Sequence, residues 1–295
     1  MVMLPYNPKT TLILSMFNNN AKAAAKAIRD GEIRFLSDDE IRRSKEIRNN
    51  AVRSVMKICA ENDVQIITLE DALYPKLLKI IDNPPIVLFV AGDISGLDGG
   101  FTLSVVGTRN ASPYGYEVTK ALITSITRLG AIITSGLAHG LDSAAHRACL
   151  DAGGRTIGVC GCGIMVDYPK GNGALKRRIV DNGGAVISEL LPYTKTYGEY
   201  FQHRNRIISG LSLGTLVLEA GEISGCLLTV QHALDQGREV FAVPPQNILK
   251  SNFSGTANLI REGAVPVFNY IDIVQVLIKN GSLNEYFKSI LGKNI

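Results

Sequence analysis

Tryptophan is absent from this chain, and cysteine is scarce, with five residues in 295. Cys59, Cys149 and Cys226 stand apart, and Cys160 and Cys162 flank a single glycine. No pair has the spacing of a zinc knuckle or a thioredoxin-like redox motif, so small thiols buried in a reducing cytosol are expected. No apolar run reaches the roughly 18 residues of a membrane helix, and no membrane association is expected. The apolar stretch 11–17 is too short for a signal peptide and has no cleavage-site pattern. The dinucleotide fingerprint G-x-G-x-x-G is missing from the first glycine-rich turn, and Gly158, Gly161 and Gly163 have the wrong order. The P-loop pattern is missing too. His139 and His146 stand seven residues apart without a carboxylate at ligand spacing, which argues for structural histidines and against a metal site. No nucleophilic triad is present, and no catalytic residue, metal or cofactor is assigned.

Charge is nearly balanced, with 31 basic and 27 acidic residues and a net charge of +4. The segment 22–57 holds ten basic and six acidic residues, so it carries the whole excess. A solvated helical face is the first reading there, and nucleic-acid contact the second.

Residues 1–70 read as a small helical module: Ser37 and Glu40 form a capping box, and Ile41, Ile47, Val52, Val55, Met56 and Cys59 recur at helical spacing. Residues 71–100 read as a connector, with Pro75, Pro84 and Pro85 around an extended run at 86–90 and a linker-like stretch at 92–100. From 101 to 268 the pattern changes to short apolar strands, expected at 101–106, 131–135, 155–160, 185–189, 214–219, 239–243 and 264–268. Helical periods at 114–129, 141–151, 174–181, 207–211 and 226–236 separate most of them. This alternation predicts an α/β fold, an extended Rossmann-like, doubly wound, mainly parallel sheet with helices on both faces. The tail 269–295 holds one closing helix at 271–278.

The turns after these strands carry the chemistry. Gly107-Thr-Arg109 with Ser112 ends the first strand; Arg109 is placed to clamp a phosphate, and Ser112 either adds a hydroxyl to it or caps the next helix. Ser135-Gly136-Leu-Ala-His-Gly140 ends the second, where two glycines let the backbone and a helix N-terminus approach an anion. Tyr168-Pro-Lys170 opens a loop with four basic residues and no acid, including Lys176, Arg177 and Arg178. It is suited to track a sugar–phosphate backbone while a base stacks on Tyr168; an exposed helix face is the other reading. Tyr197, Tyr200, Phe201, His203, Arg204 and Arg206 interleave aromatics with cations, again a pattern for single strands. Glu189 and Glu219 fall at strand ends and keep open an enzymatic reading, hydrolysis of an N-glycosidic bond.

These motifs together resemble the DNA-processing protein A family (DprA, also called Smf). The resemblance rests on Asp71-Ala-Leu-Tyr-Pro75 with Pro84-Pro85, Gly107-Thr-Arg109 with Tyr114-Gly115, and Ser135-Gly-Leu-Ala-His-Gly-Leu-Asp142. It continues through Gly161-Cys-Gly163, Tyr168-Pro169, Ser188-Glu189, Arg204-Asn-Arg-Ile-Ile208, Glu219-Ala220 and Val243-Pro244, in the family's order. Pro244-Pro245 stands where the family has Pro-Gly, and Gly255-Thr-Ala257 where it has Gly-Thr-Asn. The resemblance implies a cytoplasmic homodimer that binds single-stranded DNA and loads a RecA-type recombinase in natural transformation or recombination. It implies DNA contacts at Arg109 and Lys170, with Lys176 or Arg177 further along. The winged-helix tail of many members is not expected within 269–295. The runner-up is a nucleoside-monophosphate phosphoribohydrolase of related architecture, whose Pro-Gly-Gly-x-Gly-Thr signature is replaced here by Glu219-Ala-Gly-Glu-Ile-Ser-Gly225.

Overall fold

The computed structural model describes residues 52–284 and 286. The capping box at Ser37 and most of the basic segment 22–57 lie outside the described residues. The helical stripe continues into them as helix α1 (52–61), which buries Val52, Val55 and Cys59. After Asp63, with φ of 53°, the chain becomes strand β1 (Val64–Thr68). This corrects the all-helical reading of 1–70. Four of its five residues are β-branched, and such side chains pack better on a pleated surface than around a helix.

The stretch 71–100 likewise contributes strand β2 (Val87–Gly92), after a short helix α2 (Lys76–Lys79). β1 and β2 pair antiparallel, Val64 opposite Ala91. The Asp71–Pro75 motif holds this hairpin: the Asp71 carboxylate accepts from the Thr68 N–H and hydroxyl, and the buried Tyr74 hydroxyl donates to Pro85 O at 2.7 Å.

The Rossmann-like part begins with β3 (Thr102–Val106), α3 (Pro113–Arg128), β4 (Ile132–Ser135), α4 (Leu141–Asp151) and β5 (Thr156–Val159). It continues with α5 (Gly173–Asp181), β6 (Ala185–Ser188), α6 (Gly198–Gly210), β7 (Gly214–Val217), α7 (Leu227–Asp235) and β8 (Glu239–Ala242). Helix α8 (Ser254–Arg261), β9 (Val265–Pro266) and α9 (Tyr270–Lys279) follow. All seven expected strands are present. Helix α8 had no counterpart in the hydrophobic pattern, because Ser254, Gly255, Thr256 and Asn258 are weak helix formers. Gly255 is required there: a Cβ on it would meet Ala220 O at 2.8 Å.

The described strands form one sheet in the order β1-β2-β6-β5-β4-β3-β7-β8-β9. Every pair from β6 through β9 is parallel, and β2 joins β6 antiparallel. Alternate residues feed the cores on the two faces of the sheet. Leu103, Val105, Ile133, Leu216 and Phe241 pack with α3, α4 and α9. Ile132, Ile157, Val159, Ile187 and Val217 pack with α6 and α7. Strand order reverses between β3 and β7, because α3 carries the chain one way and α7 the other. Open α/β sheets bind ligands at such a reversal, outside the carboxyl ends of the strands.

Candidate nucleic-acid interface

A groove of about 640 Å³ lies at that position. Loop 107–109 after β3 and residues 224–226 after β7 form two of its sides, and Tyr168, Phe201 and Asn205 close it from α6 and the β5–α5 loop. Tyr168 and Phe201 make a tilted aromatic wall, ring centroids 5.2 Å apart. Gly161 is small because a Cβ there would collide with the Phe201 ring.

The floor is built on two buried charged residues, Arg204 and Asp142, that bond to the protein's own backbone. Arg204 is 5% exposed; its Nη1 donates to Gly136 O at 2.6 Å and to Val159 O, joining the ends of β4 and β5. A Cβ on Gly136 would lie 2.6 Å from that guanidinium, so glycine serves here for close approach of Arg204. Asp142, in the first turn of α4, accepts from Gly136 N at 3.1 Å and from the Ala138 and Gly107 amides. Burial raises the Asp142 pKa, against the pull of the Arg204 guanidinium and those amides. Burial lowers the Arg204 pKa, with Asp142 opposing it. Leu137 takes φ of 59°, a left-handed conformation unusual for a non-glycine residue, and its side chain packs where Gly158 leaves room. Asn172 ties the Tyr168 loop to this turn, donating to Leu137 O at 2.8 Å and Ser143 Oγ at 2.9 Å.

The N-termini of α3 and α4 each have an internal carboxylate beside them. At α3, Glu219 accepts the Ser112 hydroxyl at 2.7 Å, the Ser112 N–H at 3.2 Å and Asn252 Nδ2 at 2.7 Å. Ser112 in turn caps the helix, accepting from Gly115 N at 3.1 Å. Ser112 is thus a helix cap, one of its two readings, and the fully buried Glu219 has both oxygens engaged by protein donors. The Gly136 turn is engaged within the protein as well: its amide donates to Asp142 and its carbonyl accepts from Arg204. Glu219→Ala strands the Ser112 and Asn252 donors, and hydrogen bonds to a charged group contribute about 1.5–3 kcal/mol each. A loss of roughly 3 kcal/mol is expected in a denaturant melt, as for a structural latch; an unchanged midpoint would refute that role.

Arg206 is engaged internally too. Its guanidinium pairs with both Glu189 oxygens at 2.8 and 2.6 Å and donates to Asn83 O at 2.8 Å, fixing α6 to β6 and to the Pro84-Pro85 turn. Glu189 is spent in the same pair. Lys176 is half-buried and donates to Val166 O at 3.0 Å, and Arg178 pairs with Asp151 at 2.6 Å. Arg109, Lys170 and Arg177 remain exposed, and among the described residues none of them forms an ion pair. Arg109 lines the groove beside Arg204, and Lys170 follows the Tyr168-Pro169 corner.

His146 is fully buried; its Nδ1 meets Thr156 Oγ1 at 2.7 Å, and burial pushes its pKa down to about 3. It is a neutral structural histidine, whereas His139 is exposed at the groove. Asp142 and Asn172 are the site residues to which the motif reading gave no role. The signal for Asp142 was an acid at the start of a helix directly after a glycine turn. For Asn172, a polar side chain between two glycines gave little to read.

Residues 65–278 match the family described as DNA recombination-mediator protein A. The chain belongs to this family. The DNA processing protein DprA of Bacillus subtilis (strain 168) is 41% identical over 223 residues, spanning 76% of this chain and 74% of that relative. The X-ray structure of DNA processing protein A from Streptococcus pneumoniae superposes with a TM-score of 0.74 at 31% identity, covering 92% of this chain and 93% of that one. A structure of DNA processing protein A from Helicobacter pylori, described for its single-stranded DNA binding mode, gives a TM-score of 0.65 at 30% identity, covering 73% of this chain and 97% of that one. The extended Rossmann-like, doubly wound sheet is thus the family's fold. Among the described residues no helix is long and apolar enough to cross a membrane.

Proposed function

We propose that this protein binds single-stranded DNA across the groove and, as a homodimer, passes it to a RecA-type recombinase. The observation that carries the reading is Arg109, exposed and without an ion-pair partner among the described residues, at the rim of the groove that the Tyr168–Phe201 wall closes, with the exposed Lys170 two residues after Tyr168. Cations at that rim neutralise successive phosphates, and the rings accept the faces of unstacked bases, which a duplex keeps hidden. The family's description as a recombination mediator and the single-stranded DNA mode of the Helicobacter pylori relative support the same partner class. The phosphoribohydrolase reading loses its support, because Glu189 and Glu219 are both committed to protein partners.

Fluorescence anisotropy tests the reading, with a labelled oligonucleotide of about 30 nucleotides, single-stranded and duplex, at two salt concentrations. A strong, salt-sensitive preference for the single strand is expected. Equal affinity for both forms would exclude base stacking, and no binding at low salt would exclude the interface altogether.

A further inference from the structure

We propose that Tyr193 and Tyr197 form a second stacking platform, outside the groove, for further bases of the same DNA strand. The proposal rests on the single-strand reading above and extends it to the loop before α6. Tyr193 and Tyr197, four positions apart in the chain, are 59% and 61% exposed. The loop that carries them is held in place. Gly163 N donates to Thr194 O at 2.8 Å, Met165 N to Pro192 O at 2.9 Å, and Thr194 N to Leu191 O at 2.9 Å. Those bonds fasten residues 191–194 to the same segment that leads into Tyr168. Tyr197 sits edge-on to Tyr200, ring centroids 5.8 Å apart, which leaves most of its surface in water. Gly198, directly after Tyr197, and Phe201, one turn further, line the groove, so a strand leaving the Tyr168–Phe201 wall towards the start of α6 meets Tyr197 and its loop next.

Charge identifies the kind of contact. Between residues 190 and 203 there is one lysine, Lys195, and one acid, Glu199. A platform without net charge contributes stacking and no phosphate neutralisation. Nucleobases are the fitting ligand, because every base offers a π face whatever the sequence.

The test uses the full chain and a twenty-nucleotide oligothymidine. Tyr193→Ala with Tyr197→Ala should weaken binding by about tenfold per ring, the range base stacking supplies. The slope of log affinity against log salt should stay as in the unsubstituted protein, because no phosphate contact is lost. Phenylalanine at both positions should restore affinity, since a phenyl ring stacks as well. In Tyr197→Trp the indole is the chain's single tryptophan, and its fluorescence should be quenched when the oligonucleotide binds. If the alanine variant binds within twofold of the parent, or the indole is not quenched, the platform is refuted while the groove stands. If the unsubstituted protein does not bind the oligonucleotide at all, both fail.

Discussion

Arg109→Glu combined with Lys170→Glu should reduce affinity for single-stranded DNA at least about 100-fold at moderate salt, with the melting temperature unchanged. Both side chains are exposed, and neither has an ion-pair partner among the described residues, so reversal breaks nothing inside the protein. The cost falls on the complex twice, once for the lost neutralisation and once for repulsion between a carboxylate and the phosphates. The salt series gives a second, independent reading. For single strands log affinity changes by about 0.7 per phosphate contact per decade of salt, so losing two contacts should flatten the slope by roughly 1.4. Neutral replacements should give the same flattening with a smaller loss of affinity. An unchanged affinity and slope in the folded double variant would move the DNA away from this rim.

The two cations were legible because the strand pattern is: β-branched runs separated by amphipathic helices fix where the turns lie, and the turns fix where Arg109 and Lys170 stand. The partners of the other polar residues were not legible. Arg204 and Arg206 are two positions apart on one helix, and nothing local in the sequence distinguishes them. One reaches across to Gly136 and Val159, the other to Glu189 and Asn83. The pairings join segments 17 to 123 residues apart, so they depend on the sheet order. Strand β3 lies between β4 and β7, and that arrangement delivers Glu219 to the N-terminus of α3. A glycine-rich turn before a helix reads the same whether its anion is a phosphate or the protein's own carboxylate. Only the geometry separates the two. It gives α3 to Glu219 and α4 to Asp142. Strand β1 was missed for a different reason: five residues after a strong helical stripe are too few to reset the period by themselves.

Arg204→Met separates a supporting role from a contact role, and the expected result is lost stability. The guanidinium is buried, holds two backbone carbonyls at the ends of neighbouring strands, and offsets the buried Asp142 carboxylate. Methionine restores most of the volume but no donor. Two carbonyls and one carboxylate then lose their compensation, and removing one side of a buried charge arrangement costs about 3–5 kcal/mol. For a chain of this size that corresponds to a drop of roughly 6–20 °C in melting temperature. Lysine should not rescue it, because one ammonium on a flexible stem lacks the planar fork that positions the guanidinium. Asp142→Asn combined with Arg204→Met should cost less than the sum of the single changes, since the second removes the charge the first left uncompensated. DNA binding in Arg204→Met should weaken in step with the loosened Gly136 turn, its salt slope close to that of the parent. A variant that kept its melting temperature but lost affinity and one phosphate's worth of salt slope would instead put Arg204 in direct contact with DNA.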